Sequence, residues 1–444
     1  MVKQWAAANR SEMRIIRGMV LPLMFTQLIQ IFFQFADQAI VGRLGVEEFA
    51  AIGVASSFIF LITGTLGMLC GAFNIIGGKC LGEGDTEGFG RAFNTSMSLS
   101  LVLGALFEGL ILLGGRPLLK GVYGLGPDVL NPACEYLYMG GLTIGINMIL
   151  FNFSAYFKNT GRARVLVYSL ASASVVNVFM DYALVYGKFG FPEWGVAGAA
   201  AGSVIGYLTS IAISIALFRK RRLFRFSFGL PRQMSARLFR LYVPLALQDL
   251  VEYTLFAIAL SAFVARLDVK LLAAYTITVT LLELFMIPMY GFSGACLTLS
   301  AQEHGRSGGG GRRYALLSCL MMLGCLLPLA VVMNAFSLPL AGWITDKEAI
   351  AGIVHDVLPV ALVVGVFNGV QMVLRSTLQA VDLEKWVLWV SAGIYGLSLV
   401  AIYAAIDRFG LTGLYIGLGF CYALLGCSYA AKLRFTFKKT VVPG

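Results

Sequence analysis

The chain has 444 residues, of which 58% are apolar and only 13% are charged, against roughly 25% charged in an average soluble domain. This deficit runs along the whole chain and excludes a soluble globular protein, because so much apolar surface cannot all face water. The net charge is +11, and the basic residues fall between apolar runs, so they indicate membrane topology rather than a nucleic-acid partner.

Apolar runs long enough to cross the roughly 30 Å hydrocarbon core of a bilayer as helices recur along the chain. The predicted spans, numbered 1 to 12, are 15–38, 49–80, 92–115, 134–157, 164–187, 195–218, 239–265, 271–301, 313–336, 352–376, 385–406 and 411–432. The first run exceeds the apolar core of a cleavable signal peptide, so we expect it to remain as span 1. The sequence therefore predicts an all-α polytopic membrane protein.

The basic residues also predict the orientation of the spans. With the N-terminus placed inside, most of the 34 Lys and Arg residues fall on the cytoplasmic side, as the positive-inside rule requires. The main basic cluster comprises Arg219, Lys220, Arg221, Arg222, Arg225, Arg232, Arg237 and Arg240. We expect this cluster to contact anionic lipid headgroups, and both termini to be cytoplasmic in a cell (plasma or inner) membrane.

Short sequence echoes predict an internal repeat. Arg43–Val46 recurs as Arg266–Val269, Pro22 as Pro244, and Tyr207 as Tyr422, each about half the chain apart. The interpretation is two six-helix lobes, 1–218 and 239–444, joined by a basic cytoplasmic linker, 219–238. Lobes with an even number of spans share one orientation, so they would be related by a pseudo-two-fold axis along the membrane normal.

Acids inside the spans are the strongest functional signal. Each costs about 2.5–3.5 kcal/mol at a helix centre and therefore needs a partner or a water-filled cavity. The acids are Asp37, Glu108, Asp181, Asp249, Glu252 and Glu283. Glu108 stands alone on an apolar helix, and a functional role and a structural role remain equally open for it.

Several of these acids end polar stripes whose spacing places them on one helix face. The stripes are Gln27, Gln30, Gln34 and Asp37; Ser174, Asn177 and Asp181; Gln248 and Glu252; Thr276, Thr280 and Glu283; and Asn368, Gln371 and Arg375. For the Gln and Thr positions, interhelical hydrogen bonding is the alternative interpretation. The stripes predict internal polar surfaces in both lobes.

The order of several motifs resembles the multidrug and toxic compound extrusion (MATE) family, with mixed NorM-like and DinF-like features. The motifs are Pro22 to Gly45 with Asp37 and Val41-Gly42-Arg43-Leu44-Gly45; Gly82-Glu83-Gly84-Asp85; Asn177-x-x-x-Asp181; Gly195-Val196-Ala197-Gly198-Ala199-Ala200; and Glu252-Tyr253-Thr254-Leu255-Phe256-Ala257. The resemblance covers nearly the whole chain. It implies a two-lobed antiporter that expels organic, often cationic and amphipathic, compounds in exchange for H⁺ or Na⁺.

The resemblance also implies site residues. It maps a cation-coupling site onto Asp37, Asn177, Asp181 and Ser203, the last standing where many relatives have Thr. It implies a substrate and C-lobe cavity, to which we assign Gln30, Gln34, Glu252, Glu283, Asn368 and Gln371. Pro22 would be a hinge. Asn368 replaces the family's Asp, and the end of span 10 reads Leu378-Gln379-Ala380-Val381-Asp382, which weakens the expectation of a C-lobe sodium site.

Two coupling ions, H⁺ and Na⁺, fit the predicted site. Two carboxylates close together in a poorly hydrated cavity cannot both ionise cheaply, so Asp37 and Asp181 would share a proton. Alternatively, oxygen ligands from Asp37, Asn177, Asp181 and Ser203 would hold Na⁺. The exported compound would lie between the lobes, against acids and adaptable Met and Phe side chains.

Other functional classes fit the sequence less well. A lipid-linked oligosaccharide flippase of the same superfamily would carry more basic residues in its spans, where this chain has mainly Arg375. No HExxH, GxSxG or Walker A motif indicates an enzyme, and off-axis acids in a repeat favour alternating access over a channel. Eight Cys without CxxC spacing and only two His predict no metal centre. We expect no cofactor beyond the coupling ion, and a monomer.

Overall fold

A computed structural model describes residues 9–220, 223–308 and 311–438. Arg221 and Arg222 of the basic cluster therefore lie outside the described residues, as do the extreme ends of the two predicted lobes. The described chain is built from helices, joined by short turns.

The first six spans are helical throughout. Their helices are Arg10–Val41, Val46–Gly82, Thr86–Tyr123, Pro127–Gly140 with Leu142–Asn159, Arg164–Tyr186, and Gly195–Lys220. The Asp85 carboxylate caps the third span by accepting the Gly88 amide hydrogen at 2.7 Å, and Gly187 ends the fifth span in the left-handed conformation at φ 62°.

The last six spans contain more irregularities. Span 7 consists of Arg232–Asp249, a π-helical segment Leu250–Phe256, and Ala257–Val264; the remaining helices are Val269–Phe285, Ile287–Ser307, Arg312–Ala335, Ser337–Gly342, Glu348–Ala380 and Glu384–Lys438. The pair Val269–Phe285 and Ile287–Ser307 is bent by 48° and together forms span 8.

The prediction of twelve spans is confirmed when one bent helix pair is counted as one span and one long, broken helix is counted as two. In the described chain, ten helices are long and apolar enough to cross a membrane, and the bent pair adds one more. The 55-residue helix Glu384–Lys438 would be about 80 Å long if straight, far more than a bilayer requires. It breaks at Gly410, where φ is 54° and ψ is −136°, and therefore supplies spans 11 and 12.

The chain divides into two compact units at positions inside spans 1 and 7. The N-terminal unit is Phe25–Ala246; the C-terminal unit combines span 1 up to Met24 with the chain from Leu247 onward. Pro22 and Pro244, the prolines related by the repeat, each lie two residues before a change of unit. The sequence had placed the division in the segment 219–238, and lobes bounded there remain a prediction.

The segment 219–238 is only partly a linker. Helix extends to Lys220 before it, and the helix of span 7 already begins at Arg232. Phe224 packs among aromatic rings of spans 3, 4 and 6, 5.4 Å from the ring of Phe93 between centroids. The Gly229 amide donates to Ser98 Oγ at 3.0 Å. The described non-helical part, 223–231, thus packs within the N-terminal unit.

Candidate functional site

Close packing between spans 5 and 6 creates the setting of the candidate site. Gly198, Gly202 and Gly206 recur every four residues on span 6 and face span 5. A Cβ at Gly206 would lie 2.7 Å from Asn177 Cβ, and one at Gly202 would collide with the Asp181 carboxylate. Glycines at this spacing let two membrane helices approach closely. The same spacing, present in the sequence, is the signal that could have located this interface in advance.

The four residues predicted for cation coupling lie together in the N-terminal unit. Asn177 and Asp181 are fully buried, and Ser203 is 9% exposed. The Asn177 side-chain amide donates to Ser203 Oγ at 3.2 Å. The carboxyl group of Asp37 lies within hydrogen-bonding range of that of Asp181. Spans 1, 5 and 6 thus each contribute to one polar cluster.

Four oxygen atoms of this cluster are buried without a hydrogen-bond partner. They are Asp37 Oδ1, Asn177 Oδ1 and both carboxylate oxygens of Asp181. Within the described part of the chain, neither acid forms an ion pair with a basic side chain. Two adjacent carboxylates without a positive partner cannot both be ionised at low energetic cost. The donor set fits either a shared proton or a small hard cation such as Na⁺.

A cavity of about 180 Å³ adjoins the cluster. Its polar lining consists of Asp37, Ser56, Thr63, Tyr136, Thr143, Asn147, Ser203 and Tyr207. Drug-sized ligands usually need about 300 Å³ or more. This space therefore suits an ion with water molecules better than an organic compound.

Sequence reasoning missed most of the cavity wall. One face of span 4 carries Tyr136, Gly140, Thr143 and Asn147 at helical spacing. This stripe contains no acid, so its sequence gives no strong signal of a functional site. Tyr207 interacts with the Asn147 side chain and follows Ser203 by one turn. In the sequence, Tyr207 is informative only through the internal repeat, where it corresponds to Tyr422.

Three predicted positions lie outside this cluster. Gln30 and Gln34 are exposed on span 1 and do not line the cavity. Glu108 Oε2 is buried without a hydrogen-bond partner and sits against Gly141, where the helix of span 4 is interrupted. A carboxyl group at this break is compatible with either role left open for Glu108.

In the C-terminal unit, Glu252 is paired with a basic side chain. Arg375 Nη1 donates to Glu252 Oε2, and the two side chains are 11% and 10% exposed, respectively. One turn along, Gln379 Nε2 donates to Gln248 Oε1 at 2.8 Å. Gln248 and Glu252 therefore share a face, and that face meets span 10.

The other residues predicted for this unit lie on spans 8 and 10. Gln371 is fully buried and donates to Asn368 Oδ1 at 2.8 Å. Glu283 is exposed on span 8, where Thr276 and Thr280 bond to carbonyls of their own helix. The structure thus brings Glu252 together with Arg375, whereas Glu283 forms no ion pair in the described part of the chain.

The packing at Gly202 leads to a first testable prediction. We expect Gly202→Ala to abolish ion-coupled transport while the protein still inserts and purifies, because the added methyl group displaces the Asp181 carboxylate. Transport into or out of liposomes under an imposed ion gradient measures the effect. Gly71→Ala is the matched control, since Gly71 is also helical and nothing lies within 4 Å of the new Cβ. Equal transport by both variants would contradict the assigned packing.

Comparisons with known proteins agree with this architecture. The sequence model of the MatE family matches residues 22–183 and 244–404, once in each half. The chain is 27% identical over 440 residues to a probable multidrug resistance protein NorM of Xanthomonas campestris pv. campestris, covering 95% of this chain and 93% of that protein. A probable multidrug resistance protein NorM of Chromobacterium violaceum is 28% identical over 340 residues, covering 74% and 71%.

Solved structures share the fold. The Vibrio cholerae MATE transporter VcmN in its bent form superposes with a TM-score of 0.88 at 20% identity, covering 98% of both chains. An outward-facing multidrug resistance MATE transporter superposes with a TM-score of 0.86 at 19% identity, covering 96% of both chains. At this identity the likeness establishes the twelve-helix fold.

Proposed function

Because the chain belongs to the multidrug and toxic compound extrusion family, we propose that it is a secondary active antiporter that exports organic, cationic and amphipathic compounds in exchange for H⁺ or Na⁺. Members of this family are membrane transporters for small molecules, not enzymes. The exchange reaction and the coupling ion are the parts that we add here. No cofactor other than the ion is needed for this reaction.

The observation that carries the proposal is the buried acid pair in the N-terminal unit. Asp37 and Asp181 lie within hydrogen-bonding range of each other, beside the Asn177 side chain, and neither pairs with a basic side chain in the described part of the chain. Such a pair binds one positive charge strongly, because binding relieves the repulsion between the two carboxylates. Asn177 and Ser203 supply additional oxygen atoms for Na⁺, if Na⁺ is the ion.

Alternating access would connect this pair with each side of the membrane in turn. Each positive charge that moves inward down the membrane potential contributes about 2.3 kcal/mol per 100 mV to the free energy that drives export. Release of the ion on the cytoplasmic side leaves two carboxylates whose repulsion favours rebinding from outside. A conformational change that depends on this charge state couples ion entry to export.

The topology of the proposal follows the distribution of basic residues. We place both termini and the basic cluster around Arg219 on the cytoplasmic side of the cell membrane. Each compact unit has a buried polar cluster of its own, and we propose that a single chain is the functional transporter.

Reconstitution in liposomes tests the proposal directly. Purified protein would be incorporated into vesicles, ethidium placed on one side, and a proton or sodium gradient imposed separately. We expect dye transport driven by one of the two gradients and abolished when that gradient is collapsed. Equal dye movement with no gradient would contradict antiport, and dependence on only one gradient would identify the ion.

Pro22 provides a second test of alternating access. A proline inside a helix removes one backbone hydrogen bond and so weakens the helix at that turn. Pro22 is buried within the continuous helix Arg10–Val41, two residues before the change of compact unit. We expect Pro22→Ala to slow exchange several-fold without lowering the yield of folded protein. Pro244→Ala, at the equivalent point of span 7, should have the same sign of effect; unchanged exchange in both variants would exclude the hinge role.

A further inference from the structure

The C-terminal unit contains a second charged cluster that the proposed coupling reaction does not use. Asp249, Glu252 and Arg375 lie within electrostatic range of one another on spans 7 and 10. Arg375 Nη1 binds Glu252, with both side chains nearly buried. Asp249, half-buried one turn before Glu252, forms no ion pair in the described part of the chain. Two acids thus share one base.

With all three groups ionised, the cluster carries one negative charge in excess within a membrane-spanning region. Separating a carboxylate from water without a positive partner is costly. Further polar atoms around the pair also lack partners: Arg375 Nε, Gln248 Nε2 and Gln371 Oε1 are all buried without a hydrogen bond. Gln371 is fully buried and lies one turn from Arg375 on the same helix face. The cluster can therefore accept one positive charge and further hydrogen-bonding groups.

The backbone of span 7 changes form at this point. The α-helix ends at Asp249, and the next seven residues, Leu250–Phe256, form a π-helix that carries Glu252. Single π-helical turns inside α-helices occur frequently at functional sites, because the wider turn redirects the side chains. The irregularity thus coincides with the charged cluster.

Aromatic rings lie beside the charged cluster. Tyr253 follows Glu252, is 46% exposed, and interacts with Arg375. Phe256 and Tyr395 lie with their ring centroids 4.6 Å apart. Aromatic faces attract cations, and an exposed ring beside an acid suits an organic ammonium group.

We propose that Asp249 holds the positively charged group of the exported compound in the C-terminal unit, and that Arg375 acts as a tethered counter-ion which neutralises Glu252 and restricts this site to organic monocations. This inference rests on the proposed function, which it extends by naming a substrate class and the residue that binds it. Glu252, to which the family resemblance points, is in this chain the partner of Arg375. The free acid of the cluster is Asp249.

Two related dyes that differ in charge test whether the site selects compounds with one positive charge. Ethidium carries one positive charge, on its phenanthridinium ring, and propidium carries a second one on a quaternary ammonium group at the end of its N-alkyl chain. Binding to the purified full-length protein in detergent would be followed by dye fluorescence, with no ion gradient present. We expect Asp249→Asn to weaken ethidium binding about tenfold, as the loss of one partly buried charge pair predicts. Asp407→Asn, an exposed acid of the same unit, should leave binding unchanged.

Removing the tethered charge should change the selectivity. Arg375→Gln leaves both acids without a base, and we expect it to favour propidium over ethidium about tenfold relative to the unsubstituted protein. The double variant Glu252→Gln/Arg375→Gln retains one free acid, Asp249, and should lose the preference for propidium that we expect in Arg375→Gln. This variant keeps the test valid if Arg375→Gln alone fails to fold, because Asp249→Asn on the double background should again lose ethidium binding.

Two results would overturn the inference. One is unchanged ethidium binding in Asp249→Asn on both backgrounds, and the other is an unchanged preference between the dyes in folded Arg375→Gln. Because binding is measured without a gradient, either result leaves the antiport proposal standing. Conversely, failure of gradient-driven transport with intact charge-dependent dye binding would count against the antiport alone.

Discussion

Replacing Asp37 by Asn is expected to reduce gradient-driven export to the level of empty liposomes. The substitution keeps the size of the side chain but removes one of the two carboxylates that together create the affinity for a cation. Removing one charged partner from a buried binding contact typically costs about 2–5 kcal/mol, which corresponds to a loss of ion affinity of at least about 30-fold. Transport driven by the effective gradient in liposomes measures this loss.

The comparison requires variants that separate coupling from folding. Asp181→Asn should have the same effect as Asp37→Asn, because the two acids act as one unit. Asp128→Asn replaces an exposed acid at the start of span 4 in the same compact unit and should transport normally. Export at the normal rate by Asp37→Asn would remove the basis for the coupling site, whatever the behaviour of Asp181→Asn.

The substitution also separates the two candidate ions. If a proton is shared, Asp37→Asn leaves Asp181 able to form a hydrogen bond with the amide, and the protein should remain stable. If Na⁺ is bound, the protein in detergent should be stabilised by added Na⁺ before the substitution and not after it. Melting temperature with and without Na⁺ therefore distinguishes the ions independently of transport.

The spans could be predicted from the sequence because the bilayer imposes their length. Runs of apolar residues bounded by charges identified all twelve, and the break that divides spans 11 and 12 falls at Gly410, just before the predicted start of span 12. The acid pair was also predictable, since a carboxylate in a membrane span needs an internal partner. Asp37 and Asp181 lie together as the stripes on spans 1 and 5 suggested.

Features that depend on which helices meet were not predictable from one sequence. Spacing placed Glu252 and Arg375 on their own helix faces, but nothing in it showed that these faces touch. The π-helical segment Leu250–Phe256 has no composition that differs from its neighbours. The change of compact unit after Met24 and Ala246 is a property of packing, whereas charge and composition pointed to the basic segment near Arg219.

The Glu252–Arg375 pair provides the second large expected effect, on stability. Breaking a buried ion pair by removing one partner costs about 3–5 kcal/mol, because the remaining charge is left without compensation. We therefore expect Glu252→Gln to lower the melting temperature of the detergent-solubilised protein markedly, and Arg375→Gln to do so as well. The double variant should recover most of the loss, since neither charge then remains.

The size of this recovery measures the interaction between the two side chains separately from their contacts with other residues. Asp249 lies within electrostatic range of Arg375 and compensates part of its charge, so Glu252→Gln should be less damaging than Arg375→Gln, which leaves two acids without a base. Additional substitution of Asp249 by Asn should remove that difference. The exposed pair Arg91 and Glu87, 3.2 Å apart on span 3, is a matched control. Its two single variants and its double variant should show almost no interaction between the side chains. Additive effects of Glu252→Gln and Arg375→Gln would mean that the two side chains do not stabilise the fold as a pair, and the tethered counter-ion would lose its structural basis.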